Sequence, residues 1–184
     1  MLKKLCRVIF LIHAVSYELV LAVQKTSLQL ESFSVCPENE NTRYPIRDLT
    51  FNRVNATHSA LSLKVSFLDD IGDNIWSQII LERWTSGGWA SVPFVTQKNP
   101  CKMCLQYFPE IWIGYFRAMG VKEPEKCPIP KGDYVLENYL IPMQGVKIPF
   151  WKGRFRVKVL WTGSKDSNDI YYCLEIGASS EEKI

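Results

Sequence analysis

Ala60-Leu61-Ser62-Leu63-Lys64-Val65-Ser66-Phe67 is the stretch that decides the fold class. Leu61, Leu63, Val65 and Phe67 share one face, while Ser62, Lys64 and Ser66 share the other. That period of two marks a strand with one side on a core. Working outward, Asp69-Asp70-Ile71-Gly72-Asp73-Asn74 has turn composition, and residues 75–84 read as the return strand. Gly87-Gly88 makes a further turn before a strand over 89–95. Upstream, Leu28, Leu30, Phe33 and Val35 form a first strand, and Ile46 with Leu49-Thr50-Phe51 forms a second. The rhythm breaks at Pro109, after which Ile111, Trp112, Tyr115, Phe116 and Met119 fall at helical spacing. Gly120 stands where a helix C-cap needs it, and Pro109 at the first helical position loses no hydrogen bond. One short helix is expected, with a start one turn earlier near Cys104 left open. Beyond Pro128 and Pro130 strands resume over 133–141, 153–161 and 170–176, and Ser179 to Lys183 reads as a fraying end. The expectation is a mostly β, antiparallel two-sheet sandwich carrying one short helix.

The chain of 184 residues is 47% hydrophobic and 22% charged, the profile of a soluble globular protein of one domain. Met1 to Ser16 reads as a secretory signal peptide. Lys3, Lys4 and Arg7 form its charged start, Val8 to Ile12 its apolar run, and Ala14-Val15-Ser16 its small-residue end, with Ala22 an alternative end. Glu18 interrupts the apolar run well short of the roughly 20 residues a membrane span needs. One domain over 17–184 is expected, secreted and extracellular. The 22 basic and 19 acidic residues give a net charge of +3. Removing the three basic residues of the leader leaves 19 against 19, so a nucleic-acid binder is not expected.

The only histidines are His13, in the leader, and His58. Histidine metal clusters and Ser–His or Cys–His catalytic pairs therefore have almost no material. Cys101-Lys102-Met103-Cys104 lacks the second cysteine pair that zinc would want and the βαβ context of a thioredoxin motif. Asp69, Asp70 and Asp73 do not match an EF-hand loop, and a turn favours them anyway. Neither an enzyme nor a cofactor is expected. Outside the leader, Cys36, Cys101, Cys104, Cys127 and Cys173 are disulfide candidates with one left over. Asn55-Ala56-Thr57 is a glycosylation acceptor, so Asn55 is expected on a surface loop with a glycan.

Lys152, Arg154, Arg156 and Lys158 recur at every second position, so on a strand they share one side, while Phe155, Val157 and Val159 face the core. The stripe reads either as a solvated outer face or as a surface for anionic headgroups. In the second reading Phe150 and Trp151 dip into lipid beside it, and each basic group is worth about 1 kcal/mol near such a surface.

Taken together, the segments Cys127-Pro128-Ile129-Pro130-Lys131-Gly132-Asp133-Tyr134, Ile148-Pro149-Phe150-Trp151-Lys152-Gly153-Arg154-Phe155-Arg156 and Cys173-Leu174-Glu175-Ile176 resemble the ganglioside-activator-like members of the lipid-recognition (ML) family. In the front half, Ser32-Phe33-Ser34 before Cys36 and Ile46-Arg47-Asp48-Leu49-Thr50 before the glycosylation site fit more weakly. The secreted insect chemosensory branch of that family is the nearer likeness. The resemblance implies a β-cup, two immunoglobulin-like sheets splayed around an apolar cavity, with residues 141–151 at its mouth. It implies the pairings Cys36–Cys173 and Cys104–Cys127, with Cys101–Cys127 as the alternative. The family pattern has eight cysteines, so two of its bridges lack partners here, and Cys101 is left as the odd thiol.

Within such a cup, alternation and helix face nominate Leu63, Val65, Phe67, Trp112, Phe116, Phe155, Val157 and Trp161 as ligand-lining residues. Phe150, Trp151, Lys152, Arg154 and Arg156 would form the cavity-mouth or membrane loop. The function expected is that of a non-enzymatic binding protein that carries or presents a lipid or other hydrophobic small molecule. The alternative is a chemosensory accessory protein (for pheromone or taste) acting on a membrane receptor or channel.

Overall fold

The computed structural model describes residues 26–37, 42–55, 58–142 and 152–182. The expected leader, the loop carrying Phe150 and Trp151, and two positions of the Asn55 triplet lie outside the described residues. Among the described residues, eight strands and two helices follow one another along the chain. They are β1 Thr26–Val35, β2 Ile46–Arg53, β3 Ser59–Phe67, β4 Trp76–Thr85, β5 Gly88–Lys98, α1 Pro100–Tyr107, α2 Pro109–Ala118, β6 Gly132–Leu140, β7 Gly153–Thr162 and β8 Ile170–Glu182. One sheet has the order β1-β8-β7-β4-β5 and the other β2-β3-β6. Every strand pair is antiparallel, as the expected sandwich requires.

The deciding stretch behaves as its alternation dictates. Leu61, Leu63, Val65 and Phe67 are all at most 3% exposed, and Lys64 faces outward to pair with Asp48. These residues share one hydrophobic cluster with Trp161, Tyr172 and Leu174 of the larger sheet, so the two sheets meet in a common core. Burying a side chain such as Phe67 contributes about 2 kcal/mol.

Two features of the secondary structure differ from the sequence expectation. The single helix is two, α1 and α2, divided at Phe108. Pro109 disfavours helical backbone in the residue before it, and Phe108 accordingly has φ −138° and ψ 49°. Asn99 starts α1 by accepting the Lys102 N–H at 2.9 Å, while Pro109 opens α2. Gly120, at φ +89°, closes α2 as expected. Its N–H donates to the Arg117 carbonyl at 3.0 Å, and that of Val121 to Phe116 at 2.9 Å, the paired bonds of a Schellman cap. The second difference is the tail. Ser179 and Ser180 lie within β8, which runs to Glu182 because β1 supplies backbone partners from Leu174 to Glu182.

Bulges bend the strands. In β1 the register shifts between Leu30 and Ser32, and in β6 the pairing passes from Leu136 to Tyr139 around Asn138, which sits at φ +48°. Ser62 Oγ accepts the Asn138 N–H at 2.9 Å and holds that bulge. An extra residue on one strand turns the following side chains to the opposite face.

Two disulfides staple the molecule. Cys36–Cys173 joins the end of β1 to β8 across 137 positions, as expected. The second bond is Cys101–Cys127, not Cys104–Cys127, and among the described residues Cys104 is the free thiol. The helix explains the correction. Three residues advance α1 by about 4.5 Å along its axis, comparable to the whole Cα separation a disulfide spans. Cys101, in the first turn, is fully buried with its Cα 5.9 Å from that of Cys127. Two disulfides fit an extracellular protein. Among the described residues, no helix is long and apolar enough to cross a membrane.

Candidate functional site

Between the sheets lies a partly open pocket of about 240 Å³. Alternating positions supply most of its wall. The larger sheet contributes Leu28, Leu30 and Phe33 from β1, Ile79 and Leu81 from β4, Phe94 from β5, Val157, Val159 and Trp161 from β7, and Tyr172, Leu174, Ile176 and Ala178 from β8. Leu61 and Phe67 of β3 and Tyr139 of β6 come from the smaller sheet. Cys104 of α1, Phe108, and Ile111, Trp112, Tyr115 and Phe116 of α2 close one side. Phe94 is both part of the wall and 37% exposed, which places an opening at the β5 edge.

Aromatic packing holds the helical side. Trp112 and Phe116 lie 4.4 Å apart between ring centroids, Phe67 contacts Phe116 and Trp161, and Trp161 stacks on Tyr172 at 4.6 Å. The Trp112 indole N–H donates to the Pro124 carbonyl at 3.2 Å, which anchors α2 to the segment after it. Among the described residues, no lysine, arginine, histidine, aspartate or glutamate belongs to the wall. The polar-tipped members other than Trp112 are Cys104, Tyr115, Tyr139, Trp161 and Tyr172. Burial pushes the Cys104 thiol up to about 12 and raises the hydroxyls of Tyr115, Tyr139 and Tyr172 above the ordinary tyrosine value. All four groups are therefore neutral at physiological pH.

Of the residues nominated from sequence, Phe67, Trp112, Phe116, Val157 and Trp161 meet in this wall. Leu63, Val65 and Phe155 do not. Leu63 and Val65 face the same side as Phe67 but belong to solid core: Leu63 is paired with Leu136, and Val65 with Ile46 and Tyr134. Phe155 is 1% exposed, on the wall-facing side of β7, yet it stands two residues beyond Val157 and outside the wall. Leu28, Leu30 and Phe33 carried a readable signal in the β1 alternation. Tyr139 did not, because only the β6 bulge turns it inward.

The basic stripe is an ion-paired outer face. Arg156 lies opposite Glu82 on β4 and bonds it through Nε, and it also reaches Glu175 at 3.9 Å. Lys158 pairs with Glu175 at 3.7 Å and Arg154 with Glu31 at 3.6 Å. The Arg156 guanidinium further lies 4.6 Å over the Trp89 ring, which meets the exposed Trp84 edge-on at 5.2 Å. Its charge is therefore matched by acidic residues of its own sheet. Lys152 is exposed, and its carbonyl accepts from Arg83 at 3.1 Å. Phe150 and Trp151, expected at the mouth, lie outside the described residues.

The aspartates after β3 have structural partners. Asp69 accepts from Arg43 at 2.6 Å and from Tyr44 at 2.8 Å, and these bonds hold its carboxyl below the usual carboxylate range. Asp70 accepts the Lys131 N–H. Asp73 accepts from Asn99 and Lys102, which lowers it too. Among the described residues no cluster of histidine, cysteine or carboxylate groups could hold a metal ion. His58 is exposed and bonds Asn55, itself exposed as the expected glycan site requires.

No protein-family model matches the chain. No curated protein matches it in sequence either. The pocket's chemistry rests on the chain's own residues.

Proposed function

We propose that the protein is a non-enzymatic binder of a lipid or similar hydrophobic small molecule, which it carries or presents to a partner. One observation carries this reading: a partly open pocket of about 240 Å³ whose described wall residues include no charged side chain. An apolar cavity of about 150 Å³ is already enough to hold a benzene ring and stays dry when empty. Each methylene that a ligand buries there contributes roughly 0.8 kcal/mol, before the ordering cost of binding. The resemblance to the lipid-recognition β-cup points the same way, as do the disulfides, which suit a protein that works outside the cell.

Native mass spectrometry of the full chain secreted from eukaryotic cells, followed by organic extraction, tests the proposal. A co-purifying fatty or hydrocarbon species near one per chain is the expected result. Leu81 is 6% exposed and part of the wall, so a Leu81→Trp side chain would fill the pocket and should abolish that adduct. An apo mass that stays unshifted after incubation with phospholipids, glycolipids and long-chain hydrocarbons would overturn the reading.

A further inference from the structure

The pocket wall is carbon almost throughout, and its exceptions are gathered in one neighbourhood. Tyr172 stacks on Trp161 at 4.6 Å, with an interplanar angle of 26°. The Tyr115 hydroxyl lies beside that of Tyr172, and Cys104 is near enough to Tyr172 to act on it. The Tyr115 ring meets that of Tyr139 edge-on at 6.4 Å. Five polar-tipped side chains from both helices and both sheets thus converge on the pocket.

Their hydrogen bonding is incomplete. Among the described residues, the Tyr139 hydroxyl and the Trp161 indole N–H are buried without a hydrogen bond, and the Tyr115 hydroxyl has only that of Tyr172 beside it. Buried donors in folded proteins nearly always have partners, and the Trp112 indole of this same wall has one in Pro124. Tyr139 has a packing reason for its place. Its hydroxyl fits against Gly114 of α2, where an added Cβ would come within 2.4 Å. Tyr115 and Trp161 have no such account, and both belong to the wall.

We propose that the pocket selects a neutral aliphatic molecule with a single oxygen function, such as a long-chain alcohol, ketone or ester, and that this oxygen accepts from Tyr115 and Trp161. The hydrocarbon body lies against Leu30, Leu81, Val157 and Ile176. An alkane leaves the Trp161 N–H unpaired. A carboxylate brings a charge into a wall whose described residues include no lysine, arginine or histidine to meet it. The inference rests on the binding function proposed above and adds the chemical class of the ligand.

The test is displacement of a fluorescent apolar probe, N-phenylnaphthylamine, from the secreted full chain. The competitors are an alkane, a primary alcohol, a methyl ester and a carboxylate of one chain length. The alcohol and ester should compete at about tenfold lower concentration than the alkane, the difference one buried hydrogen bond makes. Tyr115→Phe should shrink that gap. Equal competition by the alkane and the oxygenated chains would overturn this inference and leave the carrier reading standing. A carboxylate that binds as tightly as the ester would do the same. If no competitor displaces the probe, both readings fall. Should Tyr115→Phe not fold, the ranking of the four competitors on the unsubstituted chain decides alone.

Discussion

Cys101 and Cys104 stand three residues apart on α1 and have opposite fates. Cys101 is fully buried and bonded to Cys127, while Cys104 is a half-buried thiol in the pocket wall. Desolvation raises that thiol from 9.0 to about 12, so the folded chain holds its proton more tightly than the unfolded chain does. The sign follows from this. The contribution to stability is complete below about pH 9 and is lost as the pH climbs towards 12. The wall tyrosines are raised as well, but they titrate from 10.0 upward, which leaves pH 9–10 as the window in which the thiol dominates. Urea midpoints should fall by the equivalent of about 1 kcal/mol between pH 8 and 10. A Cys104→Ala variant should lose most of that dependence. An unchanged slope in the variant would show that the thiol is not held in an apolar environment.

At the scale of elements, the helical segment shows how local sequence signals act through specific backbone groups. Pro109 was legible as a helix start, and Gly120 as its end, because each answers a stereochemical need that no other residue meets as well. The same Pro109 also divides α1 from α2, so Cys104 and Phe108 line the pocket from one side of the break and Tyr115 from the other. Gly120 at φ +89° has no neighbour that an added Cβ would strike, so its cost on substitution is conformational alone. Gly120→Ala should destabilise the protein by about 1 kcal/mol, read as a lower denaturant midpoint at unchanged slope. A shift in the slope instead would mean that the cap had broken two-state unfolding.

For the whole molecule, the Cys36–Cys173 bond ties the β1–β8 edge of the larger sheet into a loop of 137 positions. By chain entropy that closure is worth about 4–5 kcal/mol, a large share of the stability of an ordinary domain. Replacing both cysteines by serine should lower the thermal midpoint by roughly 10 °C or more. Serine at the Cys101–Cys127 pair, which closes only 26 positions, should cost less, about 3 kcal/mol. The two variants rank loop length against local strain. If the short loop proved the costlier to open, the support it gives α1 and the pocket wall would outweigh chain entropy.

Strand periodicity, turn composition and helix caps are short-range properties, and by itself the sequence determined what depends on them. That covers eight strands in order, the buried face of β3 and the cap at Gly120. Phe67, Val157 and Trp161 were readable as inward-facing for the same reason. The tertiary structure alone decided which inward-facing residues border empty space. Leu63 and Val65 share the face of Phe67, yet they meet side chains of β2 and β6 and fill their volume. It also decided the partner of Cys127, the place of Tyr139 behind a bulge, and the neutralisation of Arg154, Arg156 and Lys158 by Glu31, Glu82 and Glu175. Each of these depends on which side chain arrives from a distant strand, and alternation along one strand says nothing about what stands across from it.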